Sequence, residues 1–285
     1  MSGLSRLYGL STHLFHESRL CREHLAHIAA HGFDTVELFA TRSHFDYHDE
    51  EATTRLSGWL SDARLALHSV HAPICADLRG GRWIEAFSNA SGDESRRKAA
   101  VEETRAALQV ARHIPYHFLV VHLGIPTVES VPPGDNQPDA ARRSVEEIVA
   151  LAADFGVRVA IEVIPNALSS AAALVRLIED QLDGLDVGIC LDYGHAHLMG
   201  DLGEAIETIS GHLWTTHVHD NTGRRDDYLV PFAGTIDWEA AITETLKIGY
   251  DEPLIFEVAN TGNPLDVLER SAKARARLEA MSVTY

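Results

Sequence analysis

The stretch Val187-Gly188-Ile189-Cys190-Leu191-Asp192-Tyr193-Gly194-His195-Ala196-His197 opens as an apolar run, turns acidic at Asp192 and then continues into residues suited to a helix start. A short apolar run of this kind reads as a strand, and a carboxylate at its C-terminal end is where a parallel barrel places chemistry. The same arrangement recurs along the chain. His71 ends Leu67-His68-Ser69-Val70, His122 ends Phe118-Leu119-Val120-Val121, Glu162 ends Val159-Ala160-Ile161, and Glu257 ends Leu254-Ile255-Phe256. A further run over 215–219 carries His217 and His219, which share strand parity and face one side.

Counted from the N-terminus, candidate strands fall at 8–11, 35–38, 66–71, 118–122, 157–162, 187–192, 215–219 and 254–257, with helical stretches between them. Eight such units in 285 residues is about 36 residues per unit, which predicts an α/β fold of the (β/α)8 TIM barrel type. An open doubly wound sheet also alternates strand and helix, but the chain has no GxGxxG fingerprint to support its usual dinucleotide site. Helix starts are expected at Ser18, Asp139, Asp201 and Asp237, and at Asn263 followed by Pro264. Two connections, 72–93 and 124–138, are long for βα loops and are expected to lie over one mouth. No composition shift marks a boundary, so one domain over 1–285 is the expectation.

The 24 Lys and Arg against 42 Asp and Glu leave a net charge of −18. A surface of that sign repels nucleic-acid phosphates, so nucleic acid is not expected as a partner. Cys21, Cys75 and Cys190 are odd in number and lack CxxC spacing, which suits free thiols and a cytoplasmic location. No apolar N-terminal segment or membrane-length run is present, so no membrane partner is expected.

Several carboxylates and histidines at one mouth would repel and desolvate one another without a counterion. A divalent cation resolves the conflict. Glu162, Asp192, His217 and Glu257, from four successive strands, form a mixed oxygen and nitrogen set suited to Mn2+, Mg2+, Co2+ or Zn2+. His71 and His122 are candidates for a second metal or for substrate contact. His195, His13, His219, Asp226 and Arg224 are candidate substrate-binding residues; Arg225 shares the loop of Arg224, and Glu37 is placed to line the site. No GxSxG elbow supports serine hydrolase chemistry.

These residues, with Ser11-Thr12-His13-Leu14-Phe15, His217-Val218-His219-Asp220-Asn221 and Gly234-Thr235-Ile236-Asp237-Trp238, resemble the xylose-isomerase-like TIM barrel superfamily over about Leu7 to Met281. That superfamily includes sugar and sugar phosphate isomerases and epimerases, and more distantly the apurinic endonucleases. The resemblance to the epimerase branch implies one divalent metal on Glu162, Asp192, His217 and Glu257, with Glu162 and Glu257 as the catalytic pair. It selects His217 over His219 because Asp220 stands three residues later; His219 is the alternative. It also implies a small carbohydrate-like substrate and allows a homo-oligomer. The endonuclease branch uses three zincs, and Asp226-Asp227-Tyr228 has Tyr where that branch needs His. Pro231-Phe232-Ala233-Gly234 departs from a Pro-Gly-x-Gly pattern, and Phe232 is expected to add an apolar wall to the pocket.

The expected function is a metal-dependent isomerase or epimerase of a small sugar, sugar phosphate or related hydroxy-carbonyl compound, acting by proton transfer through a metal-stabilised enediolate. The alternatives are a zinc-dependent phosphodiesterase of the apurinic endonuclease type, a lyase or dehydratase on the same scaffold, and a non-catalytic binding barrel.

Overall fold

A computed structural model describes residues 7–79, 82–127 and 129–282. In chain order the strands are β1 (Tyr8–Ser11), β2 (Thr35–Phe39), β3 (Ala66–His71), β4 (Cys75–Arg79), β5 (Arg82–Ala86), β6 (Phe118–Val121), β7 (Arg158–Glu162), β8 (Val187–Asp192), β9 (Leu213–Val218) and β10 (Leu254–Phe256). Eight of them close into a parallel barrel in the order β1-β10-β9-β8-β7-β6-β3-β2. The α-helices are α1 (Arg22–Ala30), α2 (Glu50–Ala63), α3 (Glu94–Leu108), α4 (Pro138–Ala153), α5 (Ala171–Gln181), α6 (Tyr193–Met199), α7 (Leu202–Thr208), α8 (Trp238–Lys247) and α9 (Pro264–Ser282). Among the described residues no helix is long and apolar enough to cross a membrane.

Each barrel strand matches the sequence expectation to within two residues at either end. The runs are buried almost throughout, and Val120, Ala160 and Cys190 fill the barrel interior as a small separate cluster. Burial pushes the Cys190 thiol up, which keeps it protonated and suits packing rather than nucleophilic attack. Between β8 and β9 the register shifts at Ile189/Cys190, after which Asp192 lies beside His217. That irregularity aligns two strand-end side chains at the same height.

The connection 72–93 is more ordered than a loop. It contains the antiparallel hairpin of β4 and β5, with Leu78 paired to Trp83 and Arg79 to Arg82. The second long connection is tied to the first by Asp135, whose carboxylate accepts from Ser88 and faces Arg96 at 3.3 Å. Both connections reach the same mouth, as expected.

Helix starts at Asp201 and Asp237 are confirmed, their carboxylates accepting from Glu204 N and Ala240 N. Asn263 accepts from Leu265 N at 3.0 Å ahead of α9. Two caps differ. The helix expected from Ser18 begins at Arg22 after Cys21, and the Ser18 hydroxyl instead donates to the Phe15 carbonyl of the preceding turn. Pro138 occupies N1 of α4, and Asp139 stands inside the first turn, where its negative charge favours the macrodipole without forming a side-chain cap.

His44 supplies a pH dependence away from the barrel mouth. Its Nδ1 donates to the Ser18 carbonyl at 2.7 Å, and burial, the largest influence, lowers its pKa to about 4. Unfolded, it titrates near 6.5. Between those values the unfolded chain binds more protons, so this stability is present above the unfolded pKa and is lost as pH falls, by about 3 kcal/mol at pH 4. In urea titrations at pH 7 and pH 4.5, His44→Asn should flatten the loss by about 2 to 3 kcal/mol. Parallel pH profiles for the two proteins would rule out this assignment.

Candidate functional site

The C-terminal ends of the barrel strands carry their polar side chains into one buried cluster. Glu162 ends β7 and Asp192 ends β8; His217 lies within β9, and Glu257 follows β10 directly. All four are nearly inaccessible to solvent. One ligand atom from each lies within 4.8 Å of the others. His217 Nδ1 is the hub, 3.1 Å from Glu162 Oε1, 3.3 Å from Glu257 Oε2 and 4.0 Å from Asp192 Oδ2.

The other face of the Glu162 carboxylate meets two more histidines. His71 Nε2 and His122 Nε2 stand 3.2 and 3.0 Å from Glu162 Oε2, yet that oxygen has no aligned hydrogen bond. These three residues form a second compact group of metal-type ligands. His195 and His219 flank Asp192. The His195 backbone N–H donates to Asp192 Oδ1 at 2.7 Å, so this carboxylate also caps α6, while His219 Nε2 lies 2.9 Å from Asp192 Oδ1. His195 Nε2 is 2.9 Å from Asp226 Oδ2 and 3.2 Å from the Tyr228 hydroxyl. Gly194 is required by this packing, because a Cβ there would collide with the His219 ring.

Burial pushes Glu257 up to about 7, with the charge of Glu162 adding to the rise. Burial acts on Glu162 in the same direction, but His217 and His122 together outweigh it and hold the carboxyl well below its usual range. Two glutamates on either side of one imidazole therefore differ in proton affinity.

Above the cluster opens a cavity of about 480 Å3. His71, His122, Glu257, His13, Asp226 and Arg224 reach its lining. Glu162, Asp192, His217, His195 and His219 are buried and do not belong to it. Hairpin residues Leu78 and Trp83, with Ile74 and Phe39, form an apolar wall, and Pro126 and Glu129 come from the second long connection. Arg225 pairs with Asp227 at 2.6 Å, whereas Arg224 is exposed at the mouth.

Phe232 does not form the expected apolar wall. Its backbone N–H donates to Asp220 Oδ2, its ring packs on Trp238, and the Arg277 guanidinium sits 3.5 Å above the ring. Asp220 itself accepts from Asn221 N, Phe232 N, Ile236 N and the Trp238 indole at 2.8 to 3.2 Å. The acidic residue after His217 thus organises the loop that carries Asp226 and Tyr228.

Glu37 and Ser69 complete the cluster from below. Glu37 is fully buried and accepts from Ser69 Oγ at 2.8 Å and from His217 Nε2 at 2.9 Å. Glu37 lies beneath His217 rather than on the cavity lining. Ser69 was absent from the sequence expectation, although it shares strand parity with His71.

The donor set fits a divalent ion. Octahedral oxygen and nitrogen ligands at about 2.1 Å place opposite atoms about 4.2 Å apart, a span the four-residue group contains. Glu162 Oε2 and Glu257 Oε2 are buried without an aligned hydrogen bond, which leaves lone pairs on both oxygens for a cation.

Residues 25–281 match the family described as xylose isomerase-like TIM barrel. An uncharacterized protein of Methanocaldococcus jannaschii, MJ1311, is 28% identical over 265 residues, covering 90% of this chain and 85% of its own. The crystal structure of a D-tagatose 3-epimerase-like protein superposes with a TM-score of 0.77 at 25% identity, covering 98% of this chain and 97% of that one. The IOLI protein, solved with a bound zinc atom, superposes with a TM-score of 0.76 at 16% identity, covering 96% and 98% of the two chains. With a closed eight-stranded parallel barrel and a family match across nearly its whole length, the chain belongs to the xylose isomerase-like TIM barrel family.

Proposed function

We propose that this protein is a divalent-metal-dependent isomerase or epimerase of a small hydroxy-carbonyl compound of the sugar type. The observation that carries this reading is the convergence of Glu162, Asp192, His217 and Glu257 from four successive strands beneath a cavity lined partly by Glu257. The likeness to a D-tagatose 3-epimerase-like protein supports the substrate class.

Glu162, Asp192, His217 and Glu257 would hold the ion. When bound, it supplies positive charge that polarises a carbonyl oxygen and stabilises negative charge developing there. Proton movement belongs to the two glutamates. Glu257 reaches the cavity, so its carboxylate takes the proton from the carbon next to the carbonyl, and the C–H electron pair passes into an enediolate. Glu162, held ionised beneath the cavity, returns a proton only after receiving one from the His71 imidazolium, whose Nε2 lies 3.2 Å from its Oε2. Return to the opposite face of the same carbon gives the epimer, and return to the neighbouring carbon gives the aldose or ketose isomer. His13 and Asp226 are placed on the lining to hold substrate hydroxyls, and Arg224 at the mouth suits an anionic end group. The apolar wall of Phe39, Leu78 and Trp83 covers the carbon face of the substrate and limits water.

The test is incubation of metal-loaded protein with ketoses, aldoses and their phosphates in D2O, read by NMR at the carbon beside the carbonyl. One metal ion per chain with deuterium incorporation into a substrate is the expected result. Two zinc ions per chain with cleavage of a phosphodiester and no exchange would overturn the reading in favour of hydrolysis, for which the group of His71, His122 and Glu162 offers a second ion site.

A further inference from the structure

We infer that Glu37 is a positioning residue for the metal centre, holding His217 in the tautomer that turns Nδ1 toward the ion. This inference rests on the metal site of the proposed function. An imidazole binds a metal through one nitrogen while the other carries a proton to an acceptor, and that acceptor decides which nitrogen is free. Both nitrogens of His217 are accounted for. Nδ1 faces Glu162, Asp192 and Glu257, the three oxygen donors of the site. Nε2 faces Glu37 Oε2 at 2.9 Å, with both side chains buried.

A carboxylate accepts and cannot donate, so the Glu37 contact holds a proton on Nε2, and Nδ1, which faces Glu162 Oε1 at 3.1 Å, is the nitrogen whose proton a cation among the three oxygen donors would displace. Ser69 Oγ donates to the same Oε2 at 2.8 Å and fixes the position of that oxygen. The barrel order supplies the rigidity. Ser69 and Glu37 are register partners on β3 and β2, whereas His217 reaches Glu37 across the barrel interior from β9. Glu37 is thus outside the four-residue ligand group yet touches its only nitrogen donor. A buried carboxylate with no such task would be costly to keep, because burial disfavours its charge.

The experiment measures Zn2+ and Mn2+ affinity by competition with a chromophoric chelator, and the protonated nitrogen of His217 by long-range 1H–15N NMR of the diamagnetic zinc form. Wild-type protein is expected to show the metal at Nδ1 and the proton at Nε2. Glu37→Ala should weaken metal binding by about 10- to 100-fold, as removal of such outer partners typically does, with the same number of ions bound at saturation. Glu37→Gln keeps an acceptor and should fall between the two, and Ser69→Ala should lose no more than about tenfold. If Glu37→Ala does not fold, Glu37→Gln and Ser69→Ala carry the comparison. An affinity unchanged within threefold in Glu37→Gln, and in Glu37→Ala where it folds, or a proton found on Nδ1 with the metal on Nε2, would overturn the inference while leaving the metal site standing. Loss of one bound ion in Glu37→Gln at saturating metal would make Glu37 a ligand and overturn it too. Absence of ion binding in the wild-type protein would remove both this inference and the function it rests on.

Discussion

Glu257→Gln is expected to lower turnover by about 10²- to 10⁴-fold, the usual contribution of a positioned general acid or base. Gln preserves the shape of the side chain and an oxygen donor but can neither take nor release the proton. The loss should appear in kcat and in solvent deuterium exchange together, with the metal content measured in the same preparation. Glu162→Gln should cause a comparable fall, and should also weaken metal binding more. Glu162 contacts His217 on one oxygen and has His71 and His122 against the other, so its neutral replacement leaves three imidazoles short of a counter-charge. Variants that retain the metal yet lose no more than about tenfold in rate would show that neither carboxylate moves the proton.

Asp220→Ala should be among the most destabilising single substitutions outside the ligand set. The Asp220 carboxylate is fully buried and accepts from three backbone N–H groups and the Trp238 indole. Hydrogen bonds to a charged group contribute about 1.5 to 3 kcal/mol each, and a buried donor left unpaired carries its own penalty. A loss of about 4 kcal/mol or more follows, placing the variant in the exceptional class for a point substitution. In thermal unfolding this corresponds to a drop of roughly 10 °C for a chain of this size. Asp220→Asn keeps the volume but turns one acceptor into a donor facing donors, so most of the loss should persist. A shift under about 2 °C for the alanine variant would show that water replaces the carboxylate, and that the 221–238 connection is held by other contacts.

Much of the site was legible because strand ends impose a simple rule. In Glu162 and Asp192 the polar residue closes an apolar run, and a parallel barrel sends every such end to one mouth. His122 and Glu257 stand one residue beyond their strands and still join the cluster. Less legible was what supports them. Ser69 reads as an ordinary strand residue, and Glu37 lies inside Thr35–Phe39, where an isolated carboxylate suggested only proximity to the site. The hairpin of β4 and β5 was hidden by short strands whose residues are partly exposed and lack a clean alternation. Phe232 was misplaced for a different reason. Its ring is covered by Arg277 of α9, a partner too distant in sequence to leave a local pattern, and it turns toward Trp238 at the start of α8.

The sequence by itself determined the barrel, since eight apolar runs with capped helices between them admit few other closed arrangements, and it determined which residue types meet at the mouth. Tertiary structure alone decided their pairing. The register shift in β8 that sets Asp192 beside His217, the opposing contacts of the two His217 nitrogens, and the division of the histidines between cavity lining and buried cluster depend on distances across the barrel. Those distances follow from closure and packing of the whole sheet. No window of the chain contains them.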